Sequence, residues 1–254
     1  MQNVSEQTQA IKPWKAVISY LIVAAYLFFE MGVQVSPSVM TSQLQHTMSI
    51  GAFGLGLMSG FYFYTYTAMQ IPAGMLFDRF NPRHVITASI LVCSLGCLCF
   101  GLSTNIYLGS LSRLLMGFGS AFAFVAVLTV TADLFPSKYF ALITGITQGL
   151  AALGAMSGQM PLSYAVSSLG WQHTMFMLAI IGLVLAAFVW TVLRYKKDIL
   201  GKHDPCTKTS TSKRFAQLIK NPQSWIIAVY ACLLWAPMSG FTSLWGVKFL
   251  QKVY

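Results

Sequence analysis

Glu30 and Arg113 are the two charged side chains that fall deep inside the apolar segments of this chain, Glu30 in the first and Arg113 in the fourth. The other charges sit at segment ends, in short connections or in one basic loop. An ion in hydrocarbon is expensive, so a charge kept there marks a functional site by default. A carboxylate can carry a proton, and a guanidinium can hold a carboxylate or a phosphate. From Lys15 at the inner boundary, Glu30 lies about 22 Å along a helix that rises about 1.5 Å per residue. That leaves roughly 8 Å to the outer edge of a hydrocarbon core roughly 30 Å thick. Arg113, counted inward from Asn105, sits about 12 Å below the same edge. The two charges therefore share a depth. One reading is a carboxylate that changes protonation as a substrate arrives beside the cation. The other is a fixed structural ion pair between the first and fourth helices.

The elements that position them follow from composition. Of the 254 residues, 56% are hydrophobic and 9% are charged. A soluble domain carries about 25% charged residues, so this composition excludes one. Apolar runs of about 20 residues are long enough to cross a bilayer. Seven spans are expected, near 16–38, 54–77, 85–103, 107–132, 140–162, 174–193 and 224–246. Backbone polar groups must be paired in lipid, and the runs are too uniformly apolar for alternating barrel strands, so the fold class is all-α. Lys12 and Lys15 precede the first run as in a signal peptide, but the run continues through Glu30, Gln34 and Ser36 with no small-residue cleavage site. An uncleaved first span is the better reading.

The net charge of +10 follows topology rather than a nucleic-acid surface. With the N-terminus inside, the inner segments hold 13 of the 16 basic residues, and the outer connections near 39–53, 104–106 and 163–173 hold none. Such asymmetry fixes orientation. It predicts a multi-pass protein of the bacterial inner (plasma) membrane with a cytoplasmic N-terminus and an outside C-terminus. The five cysteines form no C-x-x-C pair and read as packing residues. Histidines 46, 84, 173 and 203 fall in connections or at span ends. No metal motif, nucleophile elbow or phosphate loop is present, so neither enzyme, metal nor cofactor is expected. A retinal receptor would need a lysine within the last span, and Trp225 to Val247 has none.

Two motifs carry a resemblance. Between the second and third spans the chain reads Gly74-Met75-Leu76-Phe77-Asp78-Arg79-Phe80-Asn81-Pro82-Arg83-His84. This resembles the G-x-L-x-D-R-x-G-R-[RK] signature of the major facilitator superfamily, with Asn81 in place of the glycine and Pro82 in place of a basic residue. Asn is a mild change if the turn needs a left-handed backbone. In the fourth span, Arg113-Leu114-Leu115-Met116-Gly117-Phe118-Gly119-Ser120-Ala121 resembles the family pattern R-x-x-x-G-x-G-x-A. Asp133-Leu134-Phe135-Pro136 resembles the connection that follows it. The resemblance implies a six-helix N-terminal bundle over 1–193, a basic cytoplasmic linker over 194–223, and the first helix of an incomplete C-terminal bundle over 224–254. The family's usual twelve helices would make this a truncated form. It further implies that Arg113 faces a central cavity and serves substrate or proton coupling. Asp78, Arg79 and Arg83, with Gly74 and Asp133, would form a cytoplasmic gate.

In that fold the first, second, fourth and fifth helices line the cavity. The polar residues follow this division, and Tyr26, Gln34, Tyr62, Tyr66, Gln70 and Gln148 are the lining candidates. Gly56 and Gly60, Gly145 and Gly149, and Gly154 and Gly158 form small-x-x-x-small steps read as sites of close helix approach. The fifth span lacks the Gly-Pro pair of many antiporters, which leaves uniport or proton symport. The expected function is secondary-active transport of a small hydrophilic solute by alternating access. The alternatives are a nonfunctional or partner-dependent fragment and, behind it, a seven-helix receptor. Expected partners are the lipid bilayer, protons, and a solute that is an organic anion, amino acid, peptide or sugar. A missing C-terminal half or a second copy would complete the assembly; nucleic acid is excluded.

Overall fold

The computed structural model describes residues 13–193, 221–240 and 249, and every regular element among them is helical. Two compact units result, one over residues 1–195 and one over 196–254. The first holds α1 (Pro13–Val39), α2 (Thr41–Met48), α3 (Ala52–Arg79), α4 (Pro82–Gly101), α5 (Ile106–Leu134), a 3-10 turn (Ser137–Tyr139), α6 (Phe140–Leu169) and α7 (Trp171–Val192). In the second, α8 spans Pro222–Gly240. Most of the expected linker, 194–220, lies outside the described residues, as does much of the stretch after Gly240.

Five helices, α1 and α4 to α7, are long and apolar enough to cross a membrane. The chain is an integral, multi-pass, all-α membrane protein. The 28 residues of α3 cover the expected second span, but Tyr62, Tyr64, Thr65, Tyr66, Thr67 and Gln70 make it less apolar than its neighbours. The connection expected over 39–53 contains the short helix α2, which ends where Ser49 turns left-handed at φ 52°.

Helix starts are set locally. Asn105 accepts a bond from Leu108 N at 2.9 Å and so caps α5. Asn81 caps α4 by accepting from Arg83 N at 3.0 Å, with Pro82 in the first turn, where its missing N–H costs nothing. The backbone of Asn81 is extended, at φ −66° and ψ 125°. The left-handed turn expected there is not formed, and capping explains the asparagine instead. Between α6 and α7 the chain does need glycine, because Gly170 sits at φ 83°.

The bundle is built around α5, which packs against α3, α4 and α1; α1 packs against α6, and α4 against α7. Glycines set three of these approaches. An added Cβ on Gly117 would strike the Tyr62 carbonyl of α3, and one on Gly119 would strike Ser89 and Cys93 of α4. Gly158 lies against Gly32, where α6 crosses α1. Of the three small-residue steps, Gly154 and Gly158 thus serve close packing. Around Gly56, Gly60, Gly145 and Gly149 nothing lies within 4 Å of an added Cβ, so among the described residues those two steps make no such approach.

Candidate functional site

Pro37 lies inside α1 and has no N–H to give. The carbonyl it would have bonded, four residues back, belongs to Val33. That oxygen accepts instead from Ser36 Oγ at 2.8 Å and from Arg113 Nη1 at 3.2 Å. Arg113 Nη2 donates to the next carbonyl, Gln34, at 3.3 Å. A proline in one helix thus supplies an acceptor for a buried arginine in another. Arg113 is 1% exposed and Glu30 is fully buried, so both charges are withdrawn from solvent.

Tyr62 lies between them. Its hydroxyl donates to Glu30 Oε1 at 2.5 Å, and its ring lies 4.5 Å from the Arg113 guanidinium. Tyr66 stacks on it, with ring centroids 5.9 Å apart and planes 16° from parallel. The ring is placed there by the α3–α5 crossing, where Gly117 admits the Tyr62 backbone and Thr65 Oγ1 donates to Leu114 O at 3.0 Å. The shared depth read from the sequence therefore brings the two charges to one tyrosine. The carboxylate's partner among the described residues is Tyr62.

The arrangement leaves capacity unused. Glu30 Oε2 and Arg113 Nε are buried without a hydrogen-bond partner. A buried group left unpaired costs about 1–3 kcal/mol, and a charged one more. One free acceptor position on a carboxylate and one free guanidinium N–H are the groups that a proton and an anion would use.

The remaining candidates divide. Tyr26 is buried and ties α1 to its neighbours, with its hydroxyl 2.5 Å from Gly119 O and 3.1 Å from Ser89 Oγ. Gln34 and Gln70 are half-buried, and Gln34 joins the site through its carbonyl. Gln148 is exposed on α6, beside Thr147, which bonds the Tyr20 hydroxyl at 2.9 Å. At the α3–α4 turn, Asp78 and Arg79 are exposed, whereas Gly74 and Asp133 are half-buried. Arg83 lays its guanidinium 4.0 Å from the Trp190 ring of α7, and the His84 ring approaches the same tryptophan at 5.4 Å. Sequence reasoning missed Trp190, the bridging role of Tyr62 and the part played by Pro37. Of these, only Pro37 carried a signal, since a proline inside a span always frees a carbonyl. Among the described residues, no group of three or more His, Cys, Asp or Glu is placed to hold a metal.

Comparison with known proteins agrees with this architecture. The profile of the Major Facilitator Superfamily matches residues 22–254. The probable sulfoacetate transporter SauU of Cupriavidus necator is 26% identical over 176 residues, 68% of this chain and 40% of that protein. The probable galactarate/D-glucarate transporter GudP of Escherichia coli is 23% identical over 195 residues, 74% of this chain and 42% of that protein. A bacterial homologue of the human lysosomal transporter Spinster, solved inward-facing and unoccupied, superposes with a TM-score of 0.73 at 19% identity. The superposition covers 90% of this chain and 54% of that one, and it shows the fold. The chain spans less than half the length of the curated relatives it matches.

Proposed function

Because the chain belongs to the Major Facilitator Superfamily, we propose that it is part of a secondary-active carrier for a small organic anion. In this reading residues 1–193 form one rocking bundle, 194–223 link it across the cytoplasmic face, and 224 onward begins the second bundle. Carriers of this kind move a solute by rocking two bundles around a site at their interface. Arg113 holds the anion. Glu30 takes or releases the proton of a symport cycle, and uniport is the simpler variant if it does not. Tyr62 couples them, because its hydroxyl is on the carboxylate and its ring is on the guanidinium. The α3–α4 turn with Asp78, Arg79 and Arg83, together with Asp133, acts as the gate on the inner face.

One observation carries the reading: a buried carboxylate and a buried guanidinium share a tyrosine, and each keeps one polar atom unpartnered. The anionic solutes named for SauU and GudP support the choice of substrate class. The test is thermal unfolding of the purified chain in detergent with sulfoacetate, galactarate or the uncharged analogue galactitol. The anions should raise the melting temperature, galactitol should not, and Arg113→Ala should remove the shift. Arg113→Lys keeps the charge but loses the planar fork and should weaken it. Equal shifts from galactarate and galactitol, or an undiminished shift in Arg113→Ala, would overturn the proposal.

A further inference from the structure

The carbonyl of Val33 is contested between two helices. A carbonyl oxygen has two lone pairs and so takes two good hydrogen bonds. In an unbroken helix one of them goes to the N–H four residues on. Residue 37 is a proline, which has no N–H, and its ring crowds the carbonyl four residues back. The Val33 oxygen therefore stays out of the helix's own ladder. Both of its bonds come from side chains, Ser36 Oγ at 2.8 Å and Arg113 Nη1 at 3.2 Å. Further along α1, hydroxyls answer carbonyls of the same helix: Ser38 donates to Val35 O at 2.7 Å, and Thr41 to Pro37 O at 3.0 Å. Of these three carbonyls, Val33's is the one that also takes a donor from another helix among the described residues.

That bond decides how the guanidinium lies. The Tyr62 ring, 4.5 Å away, covers its face. Nη1 reaches Val33 O and Nη2 reaches Gln34 O at 3.3 Å, two consecutive carbonyls of α1, so the end of the fork is turned to that helix. Nη1 also reaches Met116 Sδ at 3.5 Å. A guanidinium has five N–H bonds. Both on Nη1 and one on Nη2 are used here. Those left over are one on Nη2 and the one on Nε, which is buried without a partner. Nε–H and an Nη2–H run parallel along one edge of the group, a spacing that takes two oxygens of one anionic group at once.

We infer that Pro37 is a positioning residue for Arg113: by withholding an N–H it reserves the Val33 carbonyl for Nη1, and this leaves the Nε–Nη2 edge to the anion. The inference rests on the reading of Arg113 as the anion site. Returning an N–H at residue 37 puts three donors on an oxygen with two lone pairs. The amide and Ser36 are fixed in the same turn of α1, so the bond that crosses between helices is the one lost. Removing the Ser36 hydroxyl as well leaves two donors for two lone pairs and gives Arg113 its carbonyl back.

The test is NMR of the full chain in detergent, with heavy nitrogen in the arginine side chains and no added solute. A guanidinium held at both Nη atoms rotates slowly about its Cζ–N bonds and shows separate Nη–H signals, whereas a freed one shows an averaged signal. The Arg113 signals are those missing from Arg113→Lys. They should be separate in the parental chain, averaged in Pro37→Ala, and separate again in the double variant Ser36→Ala with Pro37→Ala. Loss of a helix bend alone is not reversed by deleting a hydroxyl. In parallel, galactarate affinity, read from melting shifts at graded concentrations, should fall about tenfold in Pro37→Ala, as for one hydrogen bond to a charged group, and recover in the double variant. If Pro37→Ala does not purify folded, Pro37→Gly returns the same N–H on a backbone free to keep its bend. Averaged signals in the parental chain, separate signals that persist in Pro37→Ala, or averaging that the double variant does not reverse would each overturn the inference. A parental chain with no galactarate shift would refute the anion reading instead, and the resonances would still decide the role of Pro37.

Discussion

Removing one oxygen atom should reveal how the buried site is held together. Tyr62→Phe deletes the hydroxyl that lies 2.5 Å from Glu30 Oε1 and keeps the ring that covers Arg113 at 4.5 Å. Glu30 Oε2 already lacks a partner, so the variant leaves both carboxylate oxygens buried and unsatisfied among the described residues. Stranding such a group costs about 1–3 kcal/mol. That is on the order of a five- to 150-fold change in the unfolding equilibrium. Titration with denaturing detergent, followed by circular dichroism, measures it. The decisive comparison is the same substitution in a Glu30→Leu background. With the acid gone there is nothing left to strand, and replacing both partners by apolar groups is nearly neutral. Tyr62→Phe should then cost little. Tyr62→Leu should cost a further ~0.5–2 kcal/mol in either background, because it also removes the ring from the guanidinium. An equal penalty for Tyr62→Phe with and without Glu30 would refute the reasoning, since the hydroxyl would then be acting on some other group.

Arg113→Ala and Glu30→Gln should abolish uptake by any active assembly while membrane insertion stays normal; normal uptake at normal expression would return that residue to a structural role. Gly117→Ala should destabilise by about 1–3 kcal/mol, because its Cβ meets backbone of α3, whereas Gly56→Ala faces open space and should gain up to about 1 kcal/mol of helix propensity. Detergent unfolding compares the two, and a similar sign for both would contradict the packing described. A cysteine at position 208, in the basic segment, should react with impermeant reagents only from the cytoplasmic side; labelling in intact cells would invert the topology.

Much of the fold was legible because lipid imposes simple rules. Long apolar runs had to be helices, and six of them coincide with α1 and α3 to α7 within a few residues at most ends. The short helix α2 was not legible, because Thr41–Met48 is only eight residues long and largely polar, unlike the long apolar runs around it. The small-residue steps were half legible for a related reason. Spacing identifies a stripe that can admit a neighbour, but not the face on which a neighbour arrives. Gly154 and Gly158 meet α1, whereas Gly145 and Gly149, roughly two and a half and one and a half turns before Gly154 in the same helix, meet nothing within 4 Å among the described residues. At the site, depth alone brought Glu30 and Arg113 together. The tyrosine between them could not be read from the sequence. Tyr62, Tyr64 and Tyr66 look alike there, and only helix rotation separates buried Tyr62 from Tyr64, which is 65% exposed.

The same rotation explains why the fourth-span motif takes the form it does. Arg113 must reach α1 carbonyls across a seam, so the helix that carries it must lie close to its neighbours on two sides. Gly117 permits the approach of α3, and with it the Tyr62 ring that covers the guanidinium. Gly119 permits the approach of α4, and its carbonyl accepts the Tyr26 hydroxyl that ties α1 to the same place. Ala121 is fully buried two residues on. The glycines of this motif face neighbouring helices, and the alanine is buried. They set the distances at which a buried arginine can be held by carbonyls and one aromatic face instead of by a carboxylate. Among the described residues the guanidinium is met by the carbonyls of Val33 and Gln34 and by the Tyr62 ring, an arrangement that suits the anion-binding role proposed for it.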